Sequence, residues 1–400
     1  MSSASLSPSE ELLVDQPVAG ASGGPASDRV PIYRPLMEGE EVEAAAAALR
    51  LGWIGMGSYV EEFEHAVQKV AEAHSRRVVA VSTGYAALHL SLLLADVGAG
   101  DEVIVPSFAH LADLQAILAV GAEPVLCDID DNTLCIDVER ATALVGPRTR
   151  AVIALDYGCH LCDHDALAAV AEGHGLRVVH DAAHSFGSAY GDAMVGSFSD
   201  LCIFSFDPVK AVSSIDGGAV LVRTDAELQR AREMRVLGST QPAEVTYQNA
   251  RLWSYDTVAT GFRYHLSNVH AAVGLAQIAK LEWIRATRQA ACEWYRERLA
   301  GLGGLSVPQA DVSKVNPFLY YVKVRNGRRD DLRVHLAALG IETGFHWTPA
   351  HRMTLFRSCR RDSLEVTESV ADEVVSLPLH SGMTQAVVDR VCDAIRSFPF

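Results

Sequence analysis

Residues 176–224 read LRVVHDAAHSFGSAYGDAMVGSFSDLCIFSFDPVKAVSSIDGGAVLVRT. Three short, nearly continuous apolar runs stand out in this stretch: LRVVHDAA (176–183), DLCIFSF (200–206) and GGAVLVRT (217–224). Runs of this length and β-branched content predict strands buried on both faces. Upstream the same kind of run recurs as RRVVAVS (76–82), DEVIVPSF (101–108), EPVLCDID (123–130) and RAVIALD (150–156). Between them lie helix-like stretches, YAALHLSLLLADVG (85–98), HLADLQAILAVG (110–121) and DHDALAAVAEGHG (163–175). Seven strands alternating with helices predict an α/β fold, a mostly parallel seven-stranded sheet between helices.

At the amino end, residues 1–28 are rich in Ser, Ala, Gly and Pro and read as a disordered tail without a catalytic role. Two helical stretches follow, EGEEVEAAAAALRLG and SYVEEFEHAVQKVAEAH, joined by GWIGMG. From about residue 267 a long amphipathic stretch predicts a connector helix into a smaller C-terminal α+β domain. The expected division is therefore a tail at 1–28, a large domain at 29–266 and a connector plus small domain at 267–400.

A chain of 400 residues buries a sizeable core, and a formal charge of −16 disfavours nucleic acid or an anionic membrane as the main partner. No run of eighteen uninterrupted apolar residues predicts a membrane span, and the N-terminus lacks a basic region leading into an apolar core. Eight scattered cysteines, several in buried-looking strands, fit thiols in a reducing cytoplasm. Cys159, Cys162 and His164 resemble half a zinc site, but no second ligand pair is suitably spaced, so no metal is expected. GWIGMG is not in the order of a nicotinamide fingerprint.

In open α/β sheets ligands gather at the carboxyl ends of strands. Asp181 and Lys210 both follow such ends. An acid there can simply cap a helix, and a lone loop lysine is normally a solvated charge. Their combination has a chemical use in a pyridoxal-phosphate (PLP) site. A lysine amine binds the cofactor covalently and then shuttles a proton, while a carboxylate keeps the pyridine nitrogen protonated. STGYAAL (82–88) supplies a turn into a helix N-terminus for the phosphate, and Ser205 a further hydroxyl.

The ordered set of segments carries a resemblance. GWIGMGSYVEEFE, VAVSTGYAALHLSLL, GAGDEVIVPSF, GAEPVLCDIDDNTLCID, VGPRTRAVIALDYG, HGLRVVHDAAHSFGSAY, FSFDPVK with DGGAV, GFRYHLSNVHAAVGLAQ and GIETGFHWTPAH together resemble the DegT/DnrJ/EryC1/StrS family of sugar aminotransferases. The likeness covers roughly residues 30–400. It implies the aspartate-aminotransferase fold (fold type I PLP enzymes) with PLP on Lys210, Asp181 on the pyridinium nitrogen, and His184 beside the ring's 3-hydroxyl. It further implies His110 stacked on the ring and Gly84, Tyr85, Ala86 and Ser205 at the phosphate. Arg263 would reach the phosphate from the neighbouring subunit, making a homodimer with shared active sites. Trp53, Tyr59, His346, Trp347 and His351 fall where family members approach substrate, although packing or turn roles account for them equally. Tyr85 stands where Thr is usual, Arg263 where Asn is usual, and His110 where a larger aromatic is usual.

The implied reaction is transfer of an amino group from L-glutamate to a nucleotide-linked keto sugar. A dTDP-4-keto-6-deoxyhexose is the first expectation, in antibiotic or glycan amino-sugar biosynthesis in the cytoplasm. Other readings are a PLP-dependent sugar dehydratase, a 3-keto-sugar or cyclitol aminotransferase, and a non-catalytic sensor with this fold. Retention of Lys210 disfavours the dehydratase, and the Lys210/Asp181 pair disfavours the sensor.

Overall fold

The computed structural model describes residues 29–400; the expected tail at 1–28 lies outside the described residues. In chain order the first strands are β1 (Arg77–Val81), β2 (Glu102–Pro106), β3 (Glu123–Cys127), β4 (Thr149–Leu155) and β5 (Arg177–Asp181). A two-residue-per-strand hairpin, β6 (Ala189–Tyr190) and β7 (Ala193–Met194), precedes β8 (Leu201–Ser205) and β9 (Gly218–Val222). Seven of these form one sheet in the order β1-β9-β8-β5-β4-β2-β3. All seven expected runs are in it. Only β9 is inverted, pairing antiparallel with both β1 and β8, while β8, β5, β4, β2 and β3 pair in parallel.

The register brings one set of strand ends to a common edge. Val81 pairs with Gly218, Gly218 with Ser205, and Asp181 with both Leu155 and Ile203. Every residue of β2, β8 and β9 is buried, as expected of strands covered by helices on both faces. The helices Gly84–Leu94 and Leu111–Ala119 pack against each other on one face.

The expected connector is two helices, Asn268–Ala279 and Leu281–Leu299. Periodicity continues across the break, so the sequence pattern hid it. At the break Lys280 reaches back to Glu38, Glu40 and Glu41. Beyond it, β10 (Leu305–Ser306), β11 (Tyr320–Val324) and β12 (Val374–Leu377) make an antiparallel three-stranded sheet. One apolar cluster joins the two sheets, running from Ile104, Val125 and Val152 to Tyr320, Val322 and Val375. Val30, at the start of the described chain, pairs with Ile341 beside the small sheet. Among the described residues no helix is long and apolar enough to cross a membrane. Seven of the eight free cysteines are buried.

Candidate active site

The common strand edge opens into a cavity of about 280 Å³ lined by Gly84, Tyr85, His110, Asp181, His184, Ser205, Lys210, His346 and Trp347. Each residue arrives there for a local reason. After β1 the chain turns directly into the Gly84–Leu94 helix, with Thr83 as N-cap accepting the Ala86 N–H at 2.9 Å. That bond occupies the Ala86 donor, while Gly84 and Tyr85, as the first two helical residues, have no intrahelical acceptor. Their N–H groups and the positive end of the helix dipole make this turn an anion site. Gly84 is required by space, because a Cβ there would lie 2.7 Å from Ser205 Cβ. A Cβ on Gly218 would similarly meet the Thr83 carbonyl oxygen at 2.3 Å.

Asp181 ends β5, is 3% exposed, and accepts the Ala183 N–H at 2.8 Å. One turn on, His184 accepts the Gly158 N–H on Nδ1 (3.2 Å). Its ring lies between Phe318 (centroids 4.1 Å apart) and Trp347 (5.3 Å), both near parallel. Burial, then the nearby Lys210 charge, holds the His184 pKa well below its ordinary value, so the ring is neutral.

Lys210 lies in the loop joining β8 to β9, with its Nζ 4.3 Å from the Phe318 ring centroid. Desolvation lowers the Lys210 pKa, against opposing contributions from Asp181, Asp207 and Asp113. A lysine so placed offers more of the neutral, nucleophilic amine than a surface lysine does. His110 caps the Leu111–Ala119 helix and presents its ring edge-on to Trp347, centroids 5.8 Å apart. His346 bonds Tyr33 through Nε2 (2.7 Å) and Ser376 through Nδ1 (2.7 Å), and its carbonyl accepts the Tyr157 hydroxyl.

Not every expected residue reaches this cavity within one chain. Arg263 and Trp53 line a second one of about 560 Å³, together with Arg232, Arg235, Arg251 and Tyr255. Tyr59 packs against the apolar cluster of Met56, Val60 and Phe63. His351 hydrogen-bonds Ser107 Oγ (2.8 Å) and does not line the cavity. Ala86 is buried and its N–H is committed to Thr83.

The zinc-like segment has another use. Cys162 Sγ points to the Leu155 carbonyl, while His164 and His180 both bond Asp156 through Nε2 (3.1 and 2.7 Å). Ser185 Oγ also donates to Asp156 (2.6 Å). The ligand atoms of Asp156, His164 and His180 lie within 4.8 Å of one another, but these hydrogen bonds already account for them. Burial opposes the charge on Asp156, and the two histidines more than offset it, pulling its pKa far down.

Sequence reasoning passed over Asp113, Tyr33 and Phe318, and took in Thr83 and Asp207 only as polar residues at strand ends, without a role of their own. Thr83 carried a signal, a hydroxyl directly before a glycine that opens a helix. Phe318 and Tyr33 carried none, because they come from segments distant in sequence.

The donor set fits PLP. A desolvated lysine, a buried carboxylate and a helix N-terminus beside a serine hydroxyl surround one cavity, with aromatic rings forming a wall. Residues 35–396 match the model of the DegT/DnrJ/EryC1/StrS aminotransferase family. A GDP-perosamine synthase from Caulobacter vibrioides is 32% identical over 373 residues, covering 92% of this chain and 97% of that protein. Among solved structures, the aminotransferase TlmJ from Streptoalloteichus hindustanus superposes with a TM-score of 0.85 at 29% identity, over 92% of this chain and 98% of that one. DesV from S. venezuelae does so with 0.82 at 32% identity, with the same coverage. With the family matched over nearly the whole chain and this cavity at its centre, the chain belongs to the DegT/DnrJ/EryC1/StrS family of PLP-dependent sugar aminotransferases.

Proposed function

We propose that this aminotransferase moves an amino group from L-glutamate to a dTDP-linked 4-keto-6-deoxyhexose, in cytoplasmic amino-sugar biosynthesis for an antibiotic or a glycan. The observation that carries the reading is the meeting of Lys210, Asp181 and the Gly84 turn in one cavity. In this reading residues 29–266 bind the cofactor, and the connector and small domain at 267–400 close over it. The relative named GDP-perosamine synthase supports a nucleotide sugar as substrate class and favours a second reading, a GDP-linked keto sugar.

Each residue has a role under this reading. Lys210 would hold the cofactor covalently and, once the donor's amino group had displaced it, its freed amine would take the proton from the amino-bearing carbon of the donor. Asp181 holds the ring nitrogen and His184 the 3-hydroxyl, while His110 lies against the ring. Gly84, Tyr85 and Ser205 form the phosphate turn, and Ala86 contributes through its N–H bond to Thr83, which fixes the turn. Bound there, PLP supplies a carbonyl that accepts the amino group and a protonated ring that draws electrons from the substrate carbon. Phe318 and Trp347 keep water from the lysine side.

Arg263 reaches the phosphate of a second subunit, in a homodimer with shared sites. The support is physical: residues 252–258 leave Leu252, Trp253, Tyr255 and Val258 exposed, Trp253 by 90%. An apolar patch of this kind beside a basic cavity suits burial against a second copy. His346, Trp347, Trp53, Tyr59 and His351 are the substrate-side candidates, the first two within reach of the cavity.

The test is the visible absorption of the PLP-loaded chain before and after L-glutamate, beside Lys210→Ala. The expected result is a band of covalently held cofactor that glutamate bleaches and that the variant lacks. The bleached enzyme then receives dTDP- and GDP-linked 4-keto-6-deoxyhexoses, and mass spectrometry reads the aminated product. A band that no amino donor bleaches overturns the transfer reading, and amination of the GDP sugar alone replaces the first carrier with the second.

A further inference from the structure

Asp113 stands in the first turn of the Leu111–Ala119 helix, three residues after His110. An acid at that position ordinarily faces solvent and favours the helix dipole. This one is 0% exposed, and no N–H or O–H donor of the described residues reaches either of its carboxyl oxygens. The group within hydrogen-bonding reach is another carboxyl, Asp181. A buried polar group without a donor or acceptor partner is rare in folded proteins. Two carboxylates in contact away from water repel strongly, and such a pair retains a proton.

The ionisable groups acting on Asp113 are Asp181 from the end of β5 and Lys210 from the loop after β8. Its helix otherwise packs within the apolar cluster of Leu88, Leu114 and Ile117. Asp181 is held on its other side by the Ala183 N–H. From this geometry we infer that Asp113 is a positioning residue, a neutral carboxylic acid that donates a hydrogen bond to Asp181. It fixes the orientation of the Asp181 carboxylate and keeps the pair at a single negative charge where the pyridine nitrogen is to be held. Burial and the neighbouring Asp181 push the Asp113 pKa well up, in the same sense. The inference rests on the assignment of Asp181 to the ring nitrogen.

The first test compares the thermal midpoints of wild type and Asp113→Asn, using the full-length chain without cofactor, from pH 4 to 8. The unfolded acid loses its proton near its ordinary pKa whereas the folded one keeps it, so wild-type stability falls as pH rises. The amide mimics the protonated acid, so the midpoint difference should grow in favour of the variant with rising pH. A flat or reversed difference overturns the inference. Asp113→Ser, a smaller neutral donor, gives the same comparison if the amide does not pack.

Infrared difference spectra supply a second readout at pH 7. Wild type minus variant should show the carbonyl stretch of one protonated acid, and its absence overturns the inference. In the loaded protein, PLP labelled with ¹⁵N at the ring nitrogen should give nearly the wild-type resonance in Asp113→Asn and a displaced one in Asp113→Leu. An unmoved resonance in Asp113→Leu means that Asp113 does not act through Asp181. If the chain takes up no PLP, the functional reading fails while the midpoints and infrared spectra still decide the carboxyl pair.

Discussion

Gly84 approaches Ser205 so closely that a Cβ on the glycine would lie 2.7 Å from Ser205 Cβ and 2.8 Å from its Oγ. The approach links the first turn after β1 to the end of β8 across the intervening β9. Gly84, Tyr85 and Ser205 thereby line one cavity. Gly84→Ala should therefore push the turn from the serine, costing about 1–3 kcal/mol of stability. Retention of PLP should fall more than tenfold, read by fluorescence titration, with partial recovery in the double variant Gly84→Ala/Ser205→Gly. Equal retention in Gly84→Ala and wild type would remove this turn from the phosphate site.

A second prediction concerns the frame under the site. Arg235 is fully buried and donates to Glu64 Oε1 (2.6 Å), the Ala80 carbonyl (2.9 Å) and Tyr247 Oη (3.0 Å). Glu64 in turn accepts the Ala80 N–H (2.8 Å) and the Tyr247 hydroxyl (2.6 Å). Removing the cation leaves a buried carboxylate next to β1. Arg235→Ala should cost about 3–5 kcal/mol, measured by urea unfolding. Arg235→Ala combined with Glu64→Gln should cost less than Arg235→Ala alone, because the stranded charge is gone.

Asp181 and Lys210 were legible because each follows an apolar run, where strand ends in an α/β sheet present polar groups to a ligand. The seven strands were legible for the same reason, their buried β-branched runs having no helical period. The short hairpin at Ala189–Tyr190 and Ala193–Met194 was not, since two residues carry no pattern. Asp113 was hidden for a different reason. In sequence it is one more acid in a helix's first turn, and only the packing of that helix against β2, β3 and the Gly84–Leu94 helix brings it to Asp181. Phe318 and His184 stack at 4.1 Å although 134 residues apart in the chain, a juxtaposition that depends on how the small sheet seats on the large one. The split of Arg263 from Lys210 into separate cavities is likewise a fact of three-dimensional placement.

Acid should destabilise the protein in a way that His346 reports. Burial, then the nearby Lys210 and His110 charges, pulls its pKa from 6.5 to about 4. The unfolded chain takes up the proton first, so the stabilisation is complete above about pH 6.5 and is lost as pH falls toward 4. The spread corresponds to about 3 kcal/mol at the acid end. His346→Gln cannot titrate and should lose less stability than wild type between pH 7.5 and pH 4.5, in urea midpoints taken at both. Parallel loss in the two proteins would assign the acid sensitivity elsewhere, for example to His160 and His380, which burial also lowers to about 4.

The division of the expected site between two cavities makes the subunit arrangement testable by mixing. Lys210→Ala and Arg263→Ala should each be impaired alone, the first by loss of the covalent link and the second by weaker retention of PLP. If each site takes Lys210 from one chain and Arg263 from another, a mixed dimer holds one site with both residues and one with neither. Random reassociation from denaturant should then restore about a quarter of wild-type activity, because half the dimers are mixed and each has one intact site of two. Sites built within a single chain would give no such recovery, since every site would keep its own defect. Size-exclusion measurements on the same samples separate the two explanations of a null result. A dimer without recovery means that Arg263 does not complete the neighbouring subunit's site, whereas a monomer removes the shared-site arrangement altogether.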